Sequence, residues 1–309
     1  MKNSLPLTLP AGTQIVTRQE VHDKSGQTRC LAGMVGVIIS APSDQHNPYL
    51  VRFPDGGEVW LERGQFTVRK HFQQDGVERF GQGVLSAINL EQFIIYRCVI
   101  GSRAYGLEHE ASDTDRRGVY LPPTELHWAL FPIPEQLENE ATQECYWELE
   151  KFIVLALRAN PNILECLYTP LVETATPLAQ ELLERRAIFL SQMIYQTYNG
   201  YVMSQFKKLE QDLRARGEIR WKHAMHLIRL LLSGITVLRE GFVPVRVDTY
   251  RERLLSIRAG EVSWENVNTW RLSLHQAFDA AFQTSHLPEQ PDYRQANDFL
   301  IRARRSMVK

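Results

Sequence analysis

The apolar positions of this chain fall into three regimes. Up to about residue 72 they come as short β-branched or aromatic runs: GTQIVTRQEV, LAGMVGVIISAP, PYLVRF and EVWLERGQFTVRK, each bounded by Gly, Pro or Asp. Runs of that length and punctuation predict strands. PDGGE (54–58) between two of them reads as a hairpin turn, because glycine accepts the positive φ such turns need. Four or five strands packed this closely predict a small β-barrel of the SH3 or Tudor type over residues 1–72. The glycine-punctuated run at 33–38 suits such a barrel, either as an RNA or protein contact or as plain packing.

HFQQDGV (71–77) reads as a linker. Over 78–190 the pattern alternates. A helix-like VERFGQGVLSAI leads into the apolar run QFIIYRCVIGS, an Asp-rich segment and RGVYLPP; ECYW and the amphipathic ELEKFIVLALRA follow, stopped by NPN. Mixed strands and helices predict an α+β or α/β domain. From 191 to 309 the period becomes helical, in the segments 194–217, 221–241, 263–285 and 292–306. The second ends at Gly241 with Pro244 just beyond, a helix stop. The expectation is an α+β chain in three parts: a barrel at 1–72, a mixed sheet domain at 78–190 and a helical domain at 191–309.

Composition adds exclusions. With 35 Lys and Arg against 36 acidic residues in 309, the net charge of -1 gives no global attraction for nucleic acid, so any basic surface is local. No run approaches the roughly 18 apolar residues of a membrane span, and MKNSLPLTLPAG lacks a signal-peptide core, so no membrane partner is expected. Cys30, Cys98, Cys145 and Cys166 form no CxxC pair, which argues against a zinc ribbon or disulfide scaffold. A cytoplasmic, reduced setting is the expectation.

The candidate chemistry lies in GSRAYGLEHEASDTD, residues 101–115. An apolar strand (92–100) delivers Gly101 and Ser102 to a loop, where small residues let an anion approach the backbone N–H groups. Asp113 and Asp115 then begin a second strand; residues two apart share a face, so both carboxylates converge. Paired hard-oxygen ligands suit Mg²⁺, with Mn²⁺ as substitute, and a metal there fits phosphoryl or nucleotidyl transfer. The plain alternative is a polar connection.

Gly-Ser, a spacer of about ten residues and Asp-x-Asp resembles the DNA polymerase β nucleotidyltransferase superfamily. With LEKFIVLALRANPNILECLYTP, KHAMHLIRLL, LSIRAGEVSWE and LPEQPD, the segment from about 80 to 305 is similar to the predicted nucleotidyltransferases associated with RNA ligases in RNA repair. The resemblance implies a polymerase-β-type fold, an NTP substrate such as ATP, a phosphate cradle at Gly101 and Ser102, and Mg²⁺ on Asp113 and Asp115. It implies RNA as acceptor, a broken tRNA end included; a protein hydroxyl (AMPylation) and a nucleotide- or RNA-binding protein whose catalysis has lapsed are the alternatives. The resemblance also implies a third carboxylate at a position held here by Gln143, which cannot act as a base. Glu144 is the nearest acid, and on a strand it faces away from 143 unless a bulge or register slip brings it round.

Further candidates flank this segment. Lys222, His226 and Arg229 share one face of an otherwise apolar helix, read as a basic stripe meeting phosphate. Arg103 and Tyr105 suit phosphate contact or base stacking, with loop packing as the alternative. Tyr201, Gln205, Lys207 and Lys208 extend the stripe or form a solvated face. Asn162 is read as a helix cap with Glu165 at the capping-box position.

Overall fold

The computed structural model describes residues 8–22, 28–42, 47–72, 88–110 and 112–308. The linker expected at 71–77 lies outside them from residue 73 on, as does the helix-like VERFGQGVLSAI up to residue 87. The chain divides into two compact units, 1–88 with 129–132, and 89–128 with 133–309.

The first unit contains β1 (Gln14–Thr17), β2 (Val21–His22), β3 (Thr28–Cys30), β4 (Val35–Ser40), β5 (Tyr49–Arg52), β6 (Glu58–Leu61) and β7 (Phe66–Val68). Five of these pair antiparallel in the order β6-β5-β4-β1-β7, and β2 and β3 form a separate ribbon. The predicted hairpin is present: Gly56 takes φ +85, and Asp55 Oδ1 accepts the Gly57 N–H at 2.9 Å. Ile15, Ile38, Val51, Leu61 and Phe66 are fully buried, with Tyr49 edge-on to Phe66 at 5.3 Å. A closed barrel was expected, yet no β6–β7 pairing joins the sheet edges among the described residues. After Leu61 a single 3₁₀ turn (Arg63–Gln65) carries the chain away from β6, and β7 pairs with β1.

The second unit is a five-stranded mixed sheet with helices. Its strands are β8 (Ile94–Ile100), β9 (Asp115–Tyr120), β10 (Gln136–Asn139), β11 (Glu144–Glu148) and β12 (Val172–Ala175), in the order β10-β11-β9-β8-β12. Only β9 and β11 run parallel. The helices are α1 (Ser102–Tyr105), α2 (Thr124–His127), α3 (Leu149–Leu157), α4 (Pro161–Tyr168), α5 (Pro177–Glu184), α6 (Met193–Arg216), α7 (Trp221–Glu240), α8 (Arg251–Ala259), α9 (Trp264–Gln283) and α10 (Tyr293–Arg305).

Alternation along β8 turns Tyr96, Cys98 and Ile100 into one core. That core runs without interruption to Ala303 on α10, so the sheet and the helices expected as two domains share it. Helix α7 is apolar round most of its circumference because α6, α8 and α9 all pack on it. Gly234 allows this: a Cβ there would lie 2.8 Å from the Phe278 ring and 3.1 Å from Tyr198. Each fully buried Leu or Phe in such a core stabilises the fold by about 1.5–3 kcal/mol. Helix α4 is capped by Asn160, whose Oδ1 accepts from the N–H groups of Asn162 and Ile163, with Pro161 in the first turn. The cap expected at Asn162 thus sits two residues earlier, because Pro161 needs no hydrogen-bond partner in the first turn. Among the described residues no helix is long and apolar enough to cross a membrane.

Candidate active site

Strand β8 ends at Ile100, and the antiparallel register sets Asp115 opposite it. Gly101 follows with φ +76, and a Cβ on it would collide with the Asp115 carboxylate. Glycine is therefore required twice over, for its backbone conformation and for the close approach of the acid. Ser102 opens α1, a single turn closed when the Tyr105 N–H bonds to Gly101 O at 3.0 Å. Gly101, Ser102 and Asp115 are thereby brought to one point.

Asp113 is placed differently from the expectation. The strand begins only at Asp115, so Asp113 lies in the preceding loop, exposed. That loop is a local turn: the Ser112 N–H bonds to His109 O, and Arg103 Nη2 donates to Ser112 O at 2.9 Å. Arg103 therefore braces the segment before Asp113. Asp115 keeps about a third of its side chain exposed (32%) and meets Arg117 Nη2 at 3.6 Å, a loose contact that leaves its oxygens largely unspent.

Among the described residues β11, the strand beside β9, sets no acid on this face; Glu138 shares the face but lies one strand further out, on β10, and accepts from Gln136 Nε2 at 2.7 Å. The β9–β11 register runs from Arg116↔Glu144 to Tyr120↔Glu148 without a break. Glu144 accordingly lies on the Arg116 side, 3.9 Å from its Nη1, and accepts the Tyr146 hydroxyl at 2.7 Å. Asp115 and Arg117 occupy the opposite face. The bulge or slip that would bring Glu144 round does not occur. Gln143 comes just before the ladder at φ +55; its carbonyl accepts from Arg116 N–H and Arg117 Nη1, while its side chain donates to Glu140 O at 2.8 Å. Glu148 caps α3 through Oε2 and is buried against Arg304 and His127 at 3.5 and 3.7 Å. Burial raises its pKa above the ordinary carboxylate value. Among the described residues no three His, Cys, Asp or Glu side chains converge as a ready metal centre. Asp113 and Asp115 nonetheless suit Mg²⁺, a hard cation that takes one or two carboxylates and keeps its waters.

The stripe on α7 divides. Arg229 is buried, with Nη1 2.8 Å from Glu165 Oε1 and its guanidinium 3.7 Å over the Tyr105 ring. The Tyr105 hydroxyl donates to Glu165 Oε2 at 2.6 Å. Inside the core the Glu165 carboxylate thus takes both the Arg229 charge and the Tyr105 hydroxyl, while Nε of Arg229 has no acceptor among the described residues. His226 packs edge-on to Tyr105 at 6.1 Å. Burial first, then the charges of Arg229 and Lys222, depress its pKa to about 4, which leaves the ring neutral near pH 7. Lys222 alone of the stripe is exposed. Glu165, read as a capping residue, is instead the buried anion of this group. The signal for it was present: an acid inside the apolar run Ile163, Leu164, Cys166 and Leu167 requires a buried cation.

Beside α1 opens a cleft of about 520 Å³ between the α3–α4 corner, α6 and α7. Tyr105 and Arg229 form part of its lining, with Arg158, Asn162, Tyr201 and His226 around them. A shallower hollow of about 610 Å³ continues past His223 and His226 to Lys222 and Arg258. His223 Nε2 lies 3.2 Å from Gln205 Oε1, and burial depresses its pKa too. Lys207 and Lys208 are exposed on α6. The loop after α1 is held from the helical side: Arg251 Nε donates to Gly106 O and Arg258 Nη1 to Leu107 O, both at 2.8 Å. The Val247 N–H bonds to Tyr105 O at 3.2 Å.

Residues 77–302, most of the chain, including Asp113, Asp115 and the helical cleft, match RlaP, the RNA repair pathway DNA polymerase beta family. The chain belongs to this family. A Bacillus subtilis (strain 168) member of the curated proteins, described as uncharacterized protein YcgL, is 25% identical over 156 residues, covering 49% of this chain and 58% of its own length. RlaP membership makes the chain a polymerase-β-like nucleotidyltransferase relative associated with RNA repair. The first compact unit lies almost wholly before the matched segment.

Proposed function

We propose that the chain is a Mg²⁺-dependent nucleotidyltransferase that moves a nucleoside monophosphate from an NTP to an RNA hydroxyl and releases pyrophosphate. A broken tRNA end is the first acceptor to test and ATP the first donor. The single observation behind this reading is Gly101 pressed against Asp115 across the β8–β9 pair, which joins the phosphate turn to a carboxylate. Backbone N–H groups after Gly101 and the Ser102 hydroxyl would hold the departing phosphates, and Asp113 and Asp115 would hold Mg²⁺ or Mn²⁺. The ion, when bound, supplies offsetting charge to the reacting phosphate oxygens. Arg117 stands 3.6 Å from Asp115 on the same face, and Arg103 sets the loop that carries Asp113. Gln143 offers no base, so in this reading the proton of the acceptor hydroxyl would pass to solvent water as the new O–P bond forms and pyrophosphate leaves. We read the N-terminal sheet as an SH3-like module and the setting as cytoplasmic, where NTP is plentiful.

The test is transfer of α-labelled NTP with Mg²⁺, offering total RNA in one reaction and lysate protein in another. Label in RNA that disappears with Asp115→Asn supports the proposal. Label in protein replaces RNA with a protein hydroxyl as acceptor. NTP binding with no transfer to either, and no change on Asp115→Ala, leaves only a nucleotide-binding protein.

A further inference from the structure

The cleft beside α1 has the wrong charge distribution for a phosphate site. Its one interior guanidinium, Arg229, is already paired with Glu165, and His226 and His223 are both depressed by burial towards the neutral form. What remains is planar and uncharged: the buried Tyr105 ring and the half-buried His226 imidazole inside, the exposed Tyr201 ring and Asn162 amide at the rim, with Leu155, Leu227 and Leu230 among them. A neutral imidazole presents one donor and one acceptor, and an amide presents both. Buried Nε of Arg229 has no acceptor among the described residues. Cations appear only at the margin. Arg158 on the cleft and Lys222 on the adjoining hollow are exposed, and neither forms an ion pair among the described residues. The volume, about 520 Å³, lies in the range of small-ligand pockets.

A neutral aromatic interior with a basic margin fits a ligand that has an uncharged flat head and an anionic tail. We propose that this cleft is a nucleobase site, in which the base stacks among Tyr105, Tyr201 and His226, with Arg158 and Lys222 at its margin to meet a backbone phosphate where the base belongs to RNA. The inference rests on the nucleotidyltransferase reading and deepens it, since the base belongs either to the incoming NTP or to the end of the acceptor RNA. Tyr105 links the two places, because it closes the same helical turn that Ser102 opens.

Calorimetric titration of the full-length protein tests this without any transfer step. Adenosine, guanosine, cytidine and uridine are added in the absence of metal, and ribose 5-phosphate and inorganic tripolyphosphate serve as base-free probes. At least one nucleoside binds, and neither base-free probe competes with it. Tyr201 is exposed, so Tyr201→Ala folds; it weakens that nucleoside by about fivefold to a hundredfold, the range for loss of one stacking ring. Asp115→Asn leaves nucleoside affinity within about twofold, which separates failure of this inference from failure of the transfer reading. Competition by ATP assigns the base to the donor; competition by a single-stranded oligonucleotide and not by ATP assigns it to the acceptor. No nucleoside binding, competition by tripolyphosphate, an unaffected Tyr201→Ala, or competition by neither ATP nor oligonucleotide overturns the proposal.

Discussion

Two ends of one helical turn treat charge in opposite ways. At the Ser102 end, Asp113 and Asp115 are exposed or half-exposed, and among the described residues the cation paired with Asp115 stands 3.6 Å away. At the Tyr105 end, Glu165 and Arg229 are buried and matched at 2.8 Å, with the tyrosine hydroxyl completing the set. The first end retains unspent oxygens for something that arrives. The second has spent its charges on itself, and so offers shape and flat surfaces in place of charge. A charged residue near a cleft is thus no guide to function until its partner is known.

Breaking the buried end has the largest effect. Glu165→Ala leaves Arg229 uncompensated inside the core, and urea unfolding should show a loss of about 3–5 kcal/mol. The double variant Glu165→Leu, Arg229→Met restores most of that loss, because it removes both buried charges together and leaves only the Tyr105 hydroxyl without its partner. At the other end, Asp115→Asn lowers transfer on the order of a hundredfold or more, as expected for a lost metal ligand, with the unfolding midpoint nearly unchanged. Equal destabilisation by the two variants would erase the contrast between the ends. Gly101→Ala forces a side chain into the φ +76 conformation and onto the Asp115 carboxylate. Backbone strain of that kind costs about 1–3 kcal/mol, and transfer falls with it.

Smaller effects sharpen the comparison. His226 has a pKa of about 4 in the fold against 6.5 when unfolded. As pH falls through that interval the unfolded chain takes up a proton that the folded chain refuses, so stability drops towards acid. His226→Asn removes this contribution, and the difference in unfolding free energy between pH 7 and pH 5 should shrink in the variant. Glu144→Gln, on the face opposite Asp115, should leave transfer within about twofold; a loss comparable to that of Asp115→Asn would place Glu144 in the site after all.

Much of this was legible in the residues. The strand at 92–100, the Gly-Ser turn and the four long helices followed from local spacing and punctuation, which sequence records directly. Gln143 could be flagged as a missing acid, and strand alternation already put Glu144 on the other face. Three things were not legible, each for a physical reason. Among the described residues the edges β6 and β7 of the first sheet do not pair, and which strands meet is a non-local choice that strand composition does not encode. The start of β9 at Asp115 depends on where its partner β8 ends. The stripe on α7 showed which residues share a face, but the acid that neutralises Arg229 lies 64 positions earlier in the chain, on α4. Helix α8, between the more regular helices, has weak amphipathic patterning and was not singled out.

The clamp on the loop after α1 has a consequence for how this candidate motif can be handled. Carbonyls of residues 105, 106 and 107 are held by donors from Val247, Arg251 and Arg258, some 140 to 150 positions later. The segment from Gly101 to Asp115 is therefore not a portable cassette. A truncation that ends before residue 247 would keep Asp113 and Asp115 but release the carbonyls of the turn after Ser102, and a graft of the motif into another sheet would need those three donors moved with it.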